Sequence, residues 1–228
     1  MMRSAPFGCL ALGLFVLAIV LFPFVLAEVM LTAMHKLGLT PGTGLMVVMG
    51  IFFGGMFNIP VKKIPRGQQV EAVPVRLFGV GKVFPRFVSR QTYTIIALNV
   101  GGCLIPCGIA LWQVVRVLGQ GGGAFVAMAV AVGINVVVCY WTSRPVKNVG
   151  IAMQPFLPAL VAAFCAIVLV PNFAPPVAFA AGVFGPLIGA DLLHLGQIKK
   201  ISTGVASIGG AGTFDGIVLS GLVATLLA

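Results

Sequence analysis

Long apolar runs recur from one end of this chain to the other, and they leave little choice of environment. A run of about 20 apolar residues crosses a bilayer as a helix, because only a helix or a closed barrel satisfies its own backbone where water is absent. Of the 228 residues, 60% are hydrophobic and only 8% charged, against about 25% charged in an ordinary soluble domain. The pattern predicts an all-α, polytopic transmembrane helix bundle, a single transmembrane domain over residues 1–228 with the lipid bilayer as its first partner.

Seven segments follow from the runs. The first covers about 7–34, with Arg3 before it and Pro23 and Glu28 within it. Val25-Leu26-Ala27 has the small-residue pattern of a signal-peptidase site, but the run exceeds the 7–15 apolar residues of a signal peptide, so it is read as a span. The others are about 44–60, closed by Asn58-Ile59-Pro60, 91–118, bent near Pro106, 124–142, ending in Tyr140-Trp141, 156–170, 177–195, and a last one finishing at Ala228.

The net charge of +10 does not point to nucleic acid. No nucleic-acid-binding motif accompanies it, and the Lys and Arg lie in short connections, as on the cytoplasmic side of membrane proteins. The longest connection, 61–90, carries Lys62, Lys63, Arg66, Arg76, Lys82, Arg86 and Arg90 against one acid, Glu71. Pro65, Pro74 and Pro85 argue against one regular helix there. Val73 to Phe78 alternates weakly, as a short strand would, but a solvated basic cytoplasmic loop facing anionic lipid headgroups is the simpler expectation. With seven spans, the N-terminus, this loop, Arg144 with Lys147, and Lys199-Lys200 fall on one side. The positive-inside rule then puts the N-terminus in the cytoplasm and the C-terminus outside. Lys36 and the uncharged turns at 119–123 and 171–176 fall opposite, and Arg116 snorkels to that interface.

The five cysteines, Cys9, Cys103, Cys107, Cys139 and Cys165, all sit in apolar runs. Cys103 and Cys107 share a helix face but offer too few ligands for a metal. All five are read as small packing residues, and no metal or other cofactor is expected.

The acidic residues carry the functional argument. The chain has four, and two of them, Asp191 and Asp215, interrupt apolar runs in the hairpin 177–228. An Asp at a bilayer-spanning helix centre costs roughly 2.5–3.5 kcal/mol on insertion scales, and such residues usually face a bundle interior or a cavity. A span ending near Gln197 buries Asp191 about 9 Å deep. Ser207-Ile208-Gly209-Gly210 reads as a helix breaker, so a helix starting near Ser207, with 201–206 irregular or re-entrant, brings Asp215 to about 12 Å, close to Asp191. Two facing carboxylates can share one proton, and one can then activate water while the other protonates a carbonyl oxygen. Gly209, Gly210, Gly212 and Gly216 would give a substrate backbone close access. Paired acids beside unwound helix also suit a cation or proton. Asp191 and His194, three apart on one face, could hold a divalent metal with Asp215, although His194 is better read as a polar interface residue with an accessory role at most. The remaining reading leaves each Asp bonded to a backbone amide or paired with Lys199, Lys200 or Arg116, with no further role.

The segment Gly189-Ala190-Asp191-Leu192-Leu193-His194-Leu195, followed by Ser207 to Ala228 (SIGGAGTFDGIVLSGLVATLLA), resembles the C-terminal signature of a prokaryotic family of unknown function, the domain-of-unknown-function family 1614. The resemblance is specific over 182–228 and implies a multi-pass protein of the prokaryotic cytoplasmic (inner) membrane. A more distant similarity is to the intramembrane aspartyl proteases of the presenilin and signal-peptide-peptidase type. There an Asp on one span meets a Gly-x-Gly-Asp on the next, which would match Asp191 and Asp215; in this chain Thr213-Phe214 separate Gly210-Ala211-Gly212 from Asp215. That similarity implies catalytic roles for Asp191 and Asp215 and a transmembrane peptide substrate. The alternatives are an ion- or proton-coupled transporter or permease that takes a small ion, and a non-catalytic membrane scaffold subunit.

Overall fold

The computed structural model describes residues 5–76, 83–146, 150–154, 156–200 and 204–228. Arg3, residues 77–82 with Lys82, Lys147, and residues 201–203 of the expected irregular stretch lie outside them.

Helix α1 (Ala5–Lys36) runs into α2 (Pro41–Gly54) through a short turn. The start of α2 is set locally: Thr40 stands in extended conformation as N-cap, its hydroxyl accepts from the Thr43 amide at 3.3 Å, and Pro41 occupies the first turn. Helices α3 (Ile105–Leu118), α4 (Gly122–Thr142), α5 (Phe156–Leu169), α6 (Ala174–Phe184) and α7 (Gly216–Leu227) complete the bundle. Among the described residues, four helical stretches are long and apolar enough to cross a membrane: 11–36, 100–118, 122–142 and 171–197. Three more, α2, α5 and α7, are apolar but shorter. From Leu12 to Val25, α1 presents large apolar side chains outward, as a lipid-facing helix does. The chain is therefore a membrane protein.

The all-α expectation requires correction. The second segment leaves the helix at Gly54, and the chain continues as strand β1 (Asn58–Arg76), antiparallel to β2 (Val83–Asn99). The pairing runs from Asn58 opposite Asn99 to Arg76 opposite Val83, with irregularities at Pro60/Lys62 and Pro65/Gly67. The connection read as a basic loop is thus a long β-ribbon, and residues 91–99, read as the start of the third span, are its second strand. The prolines exclude a helix, as expected, yet β1 is an edge strand where proline is tolerated. Strand β5 (Val205–Ile208) adds in parallel beside Ile95–Leu98, giving the order β1-β2-β5. A two-stranded hairpin, β3 (Arg144–Val146) and β4 (Gly150–Ala152), links α4 to α5.

The last segment also differs from expectation. No helix starts at Ser207, and residues 205–206 of the stretch expected to be irregular are strand; β5 runs through Ile208 into tight turns, and α7 begins at Gly216 with Asp215 as its N-cap. Positive φ at Gly209 (73°) and Gly212 (60°) lets the chain fold back on itself.

Two apolar clusters hold the bundle. One joins α1, α2, α3, the sheet and α7 through Met30, Met34, Ile51, Ile96, Ile109, Ile208 and Ile217. The other is built largely of alanines on α4, α5, α6 and α7, such as Ala131, Ala162, Ala166, Ala178 and Ala224. Small residues let helices approach closely where lipid supplies no hydrophobic driving force between them. Helix α6 is the axis: every residue from Pro176 to Val183 is buried.

Candidate functional site

Two helices widen into π-turns, and both π-turns meet at the aspartate hairpin. The first spans Val100–Leu104, between β2 and α3, and the Ile105 amide reaches back five residues to the Val100 carbonyl. The second spans Gly185–Leu192, continuing α6, and the Leu193 amide reaches the Ile188 carbonyl. Each contains or precedes a proline, Pro186 or Pro106. A proline inside a helix removes one bond and crowds the carbonyl four residues back, and a wider turn absorbs that misfit. Such π-bulges frequently mark functional positions.

Asp191 sits in the second π-turn, half-buried. Among the described residues its carboxylate has no hydrogen-bond or ion-pair partner. Asp215 is also half-buried but differs in its partners: one carboxylate oxygen accepts from the Ile217 amide at 3.0 Å and the other from the Ala211 amide at 3.4 Å. It thereby caps the positive N-terminal end of α7, where a carboxylate is favoured. The two aspartates stand near enough for the charge on one to act on the other, and both act on the Cys103 thiol in the first π-turn. The charge of Asp215 thus reaches Asp191 across the hairpin.

The glycine-rich loop before Asp215 is held by backbone-to-backbone packing. A Cβ on Gly102 would fall 2.0 Å from the Gly209 carbonyl oxygen, and one on Gly101 would fall 2.1 Å from that of Ile51. Gly212 packs on Gly55. Of the four glycines expected to admit a substrate, Gly209 and Gly212 are buried in these contacts, Gly210 is exposed, and Gly216 lies under the tip of Met153. The pairs Gly54-Gly55 and Gly101-Gly102 escaped the sequence argument. Doubled glycines outside turns were their only signal.

Asn99 ties this loop to the sheet. Its side chain accepts from the Gly102 amide at 2.7 Å and donates to the Gly55 carbonyl at 2.8 Å and to Asn58 Oδ1 at 3.1 Å. The Ser207 hydroxyl donates to the same Asn58 oxygen. Asn135 instead joins two helices, donating to the Ala181 carbonyl at 2.8 Å. His194 is buried behind the second π-turn: its ring nitrogen Nδ1 donates to the carbonyls of Ala190 (2.9 Å) and Gly189 (3.1 Å), and the ring packs on Tyr140 at 4.8 Å. It stabilises the carbonyls that the helix end leaves free. Among the described residues no group of three or more His, Cys, Asp and Glu side chains is placed to hold a metal ion.

Phe214, next to Asp215, stacks on Phe22 of α1 with ring centroids 6.2 Å apart. At the far end of α7, Lys36 donates to the Leu226 carbonyl at 2.7 Å. Arg116 donates to the Leu37 carbonyl, and to Gln113 at 3.0 Å, with its guanidinium 5.0 Å from the Trp112 ring centre. The cations at that end cap helix carbonyls and stay clear of both aspartates.

No curated protein and no solved structure matches the chain. A family model described as a protein of unknown function, DUF1614, matches residues 52–227, which include both aspartates and both π-turns. The chain therefore belongs to the DUF1614 family of proteins of unknown function.

Proposed function

We propose that Asp191 and Asp215 form the acid pair of an intramembrane aspartyl-protease-like hydrolase that cuts a transmembrane peptide. The observation that carries this reading is the asymmetry of the pair. Asp191, in a broken stretch of apolar helix, has no described partner other than the nearby charge of Asp215, whereas Asp215 is oriented by two amides. A half-buried carboxylate with no local structural role is a functional candidate.

In this reading one carboxylate removes a proton from water, whose oxygen attacks the scissile carbonyl carbon. The other, protonated, gives its proton to the carbonyl oxygen. Collapse of the resulting gem-diol breaks the C–N bond, with a proton passing to the amine nitrogen. Asp215, fixed by its amides, has the geometry of the positioned base, and Asp191 that of the acid. The outer edge of β5, with Val205 exposed, leads directly into the Gly210 turn and Asp215. An extended substrate segment added there as a further strand would pass its backbone along the pair. The chain would cross the prokaryotic cytoplasmic membrane seven times with its N-terminus inside, and the basic ribbon would lie on anionic headgroups.

The test is binding of a hydroxyethylene peptide isostere, a mimic of the gem-diol, to the full chain in nanodiscs. Saturable binding that Asp191→Asn and Asp215→Asn each abolish supports the reading, and binding indifferent to both overturns it. Aspartate-dependent proton flux in proteoliposomes without isostere binding would favour the proton-coupled transporter instead.

A further inference from the structure

Glu28 is an acid well inside a helix that is otherwise almost wholly apolar, and no described side chain pairs with its carboxylate. Glu28 is exposed, and an acid in an apolar span normally faces a cavity or water; an open cavity lies beside it. A cavity of about 480 Å³ opens between α1 and α2, with Glu28, Thr32, His35 and Thr40 as its main polar lining and Leu31 and Leu45 among its apolar walls. That volume lies within the range of small-molecule sites, roughly 300–1,000 Å³, which are mostly apolar with a few convergent polar groups.

The charges around the cavity decide what it can take. Among the described residues no Lys or Arg lines it. Lys36, next to His35, donates to the Leu226 carbonyl, and Arg116 donates to that of Leu37. The Thr32 hydroxyl gives its proton to the Glu28 backbone carbonyl at 2.9 Å, which leaves its oxygen as an acceptor. The Thr40 hydroxyl is engaged with Thr43 as the cap of α2, so the unmatched acceptors are the Glu28 carboxylate and the Thr32 oxygen, beside the His35 ring; the complement of the carboxylate is an N–H donor carrying positive charge. Described groups of three metal-ligating side chains are absent, and the apolar walls suit a hydrocarbon body better than a hydrated ion.

We propose that this cavity binds a small amphipathic ammonium compound, its nitrogen at the Glu28 carboxylate and its apolar body against Leu31 and Leu45. The site is independent of the aspartate pair. Its lining, residues 28–45, precedes the family match, and it lies toward the Lys36 end of α1, which meets the end of α7 opposite Asp215. Two sources present such an ammonium, a free amine and the ethanolamine headgroup of a membrane lipid.

The full chain in phosphatidylcholine nanodiscs, titrated with dansylcadaverine (a primary ammonium on an apolar fluorophore), tests this. The expected result is a saturable fluorescence rise absent from empty discs. Glu28→Gln should weaken binding at least tenfold with the melting temperature unchanged, and Leu45→Trp, which fills the cavity, should abolish it. N-pentyl dansylamide, which lacks the ammonium, should bind at least tenfold more weakly than the amine. Equal binding by Glu28→Gln, equal binding of the neutral probe, or a wild-type signal no larger than that of empty discs would each overturn the proposal. With the wild-type result in hand, phosphatidylethanolamine in the discs identifies the source: competition marks a lipid headgroup, and its absence a free amine.

Discussion

Asp215 and Asp191 lie in the same hairpin and carry the same carboxylate, yet their surroundings differ in kind. Asp215 caps the N-terminus of α7 through the Ile217 amide and ties back the preceding loop through the Ala211 amide. Asp191 interrupts a helix at a π-turn and bonds to nothing described. The first has a structural reason to be an Asp, and the second has none among the described residues. What the comparison teaches is that capping accounts for half of the pair only. Stability measurements on variants at and around the two positions can break or sharpen that distinction.

The largest effect is expected where the loop carrying Asp215 is clamped. Gly102→Ala would drive a Cβ to 2.0 Å from the Gly209 carbonyl oxygen, and overpacking of that severity costs about 3 kcal/mol. Thermal unfolding in detergent would show it, with Gly108→Ala, whose Cβ meets nothing within 4 Å, as the variant that should not lose stability. Next comes Asn99→Ala. It removes three bonds at a fully buried side chain and should cost about 2 kcal/mol by the same measurement, because the Gly102 amide is left unsatisfied.

Asp215→Ala follows at about 1 kcal/mol, the usual value of a lost N-cap, while Asp215→Asn, an equally good cap, should be close to neutral. Asp191→Asn is the smallest, within about 0.5 kcal/mol of wild type, as for a side chain with no structural partner. A loss above about 2 kcal/mol at Asp191 would break the comparison, since it would reveal a structural bond at that position.

Much of the helical frame was legible from the chain alone. The apolar runs at about 7–34, 124–142 and 156–170 correspond to α1, α4 and α5, because the length and apolarity that mark a span are local properties. The ribbon was not legible. Pro65, Pro74 and Pro85 say what the segment cannot be, whereas what it becomes depends on pairing with residues 83–99, and β5 depends on a partner more distant still. The start of α7 was legible and was misjudged: an Asp followed by the apolar run Gly216 to Leu227 is an N-cap signal, and the depth argument that placed the helix start at Ser207 overrode it. The elements that carry the two aspartates were misread: two continuous helices at equal depth were expected, whereas Asp191 sits in a π-turn and Asp215 at a helix N-terminus. The glycine clamps at Gly54-Gly55 and Gly101-Gly102 were hardly legible, because close approach between segments distant in sequence leaves no local pattern beyond the doubled glycines themselves.

The most direct measurement of the central claim is cleavage of a labelled transmembrane peptide by the purified chain in proteoliposomes, with wild type, Asp191→Asn, Asp215→Asn and the double variant compared. The account predicts that wild type cuts, that each single substitution lowers the rate to background, and that the double variant is no slower than either, because groups that act as a unit are not additive. Undiminished cleavage by Asp191→Asn, or no cleavage of any transmembrane peptide by wild type, would contradict it.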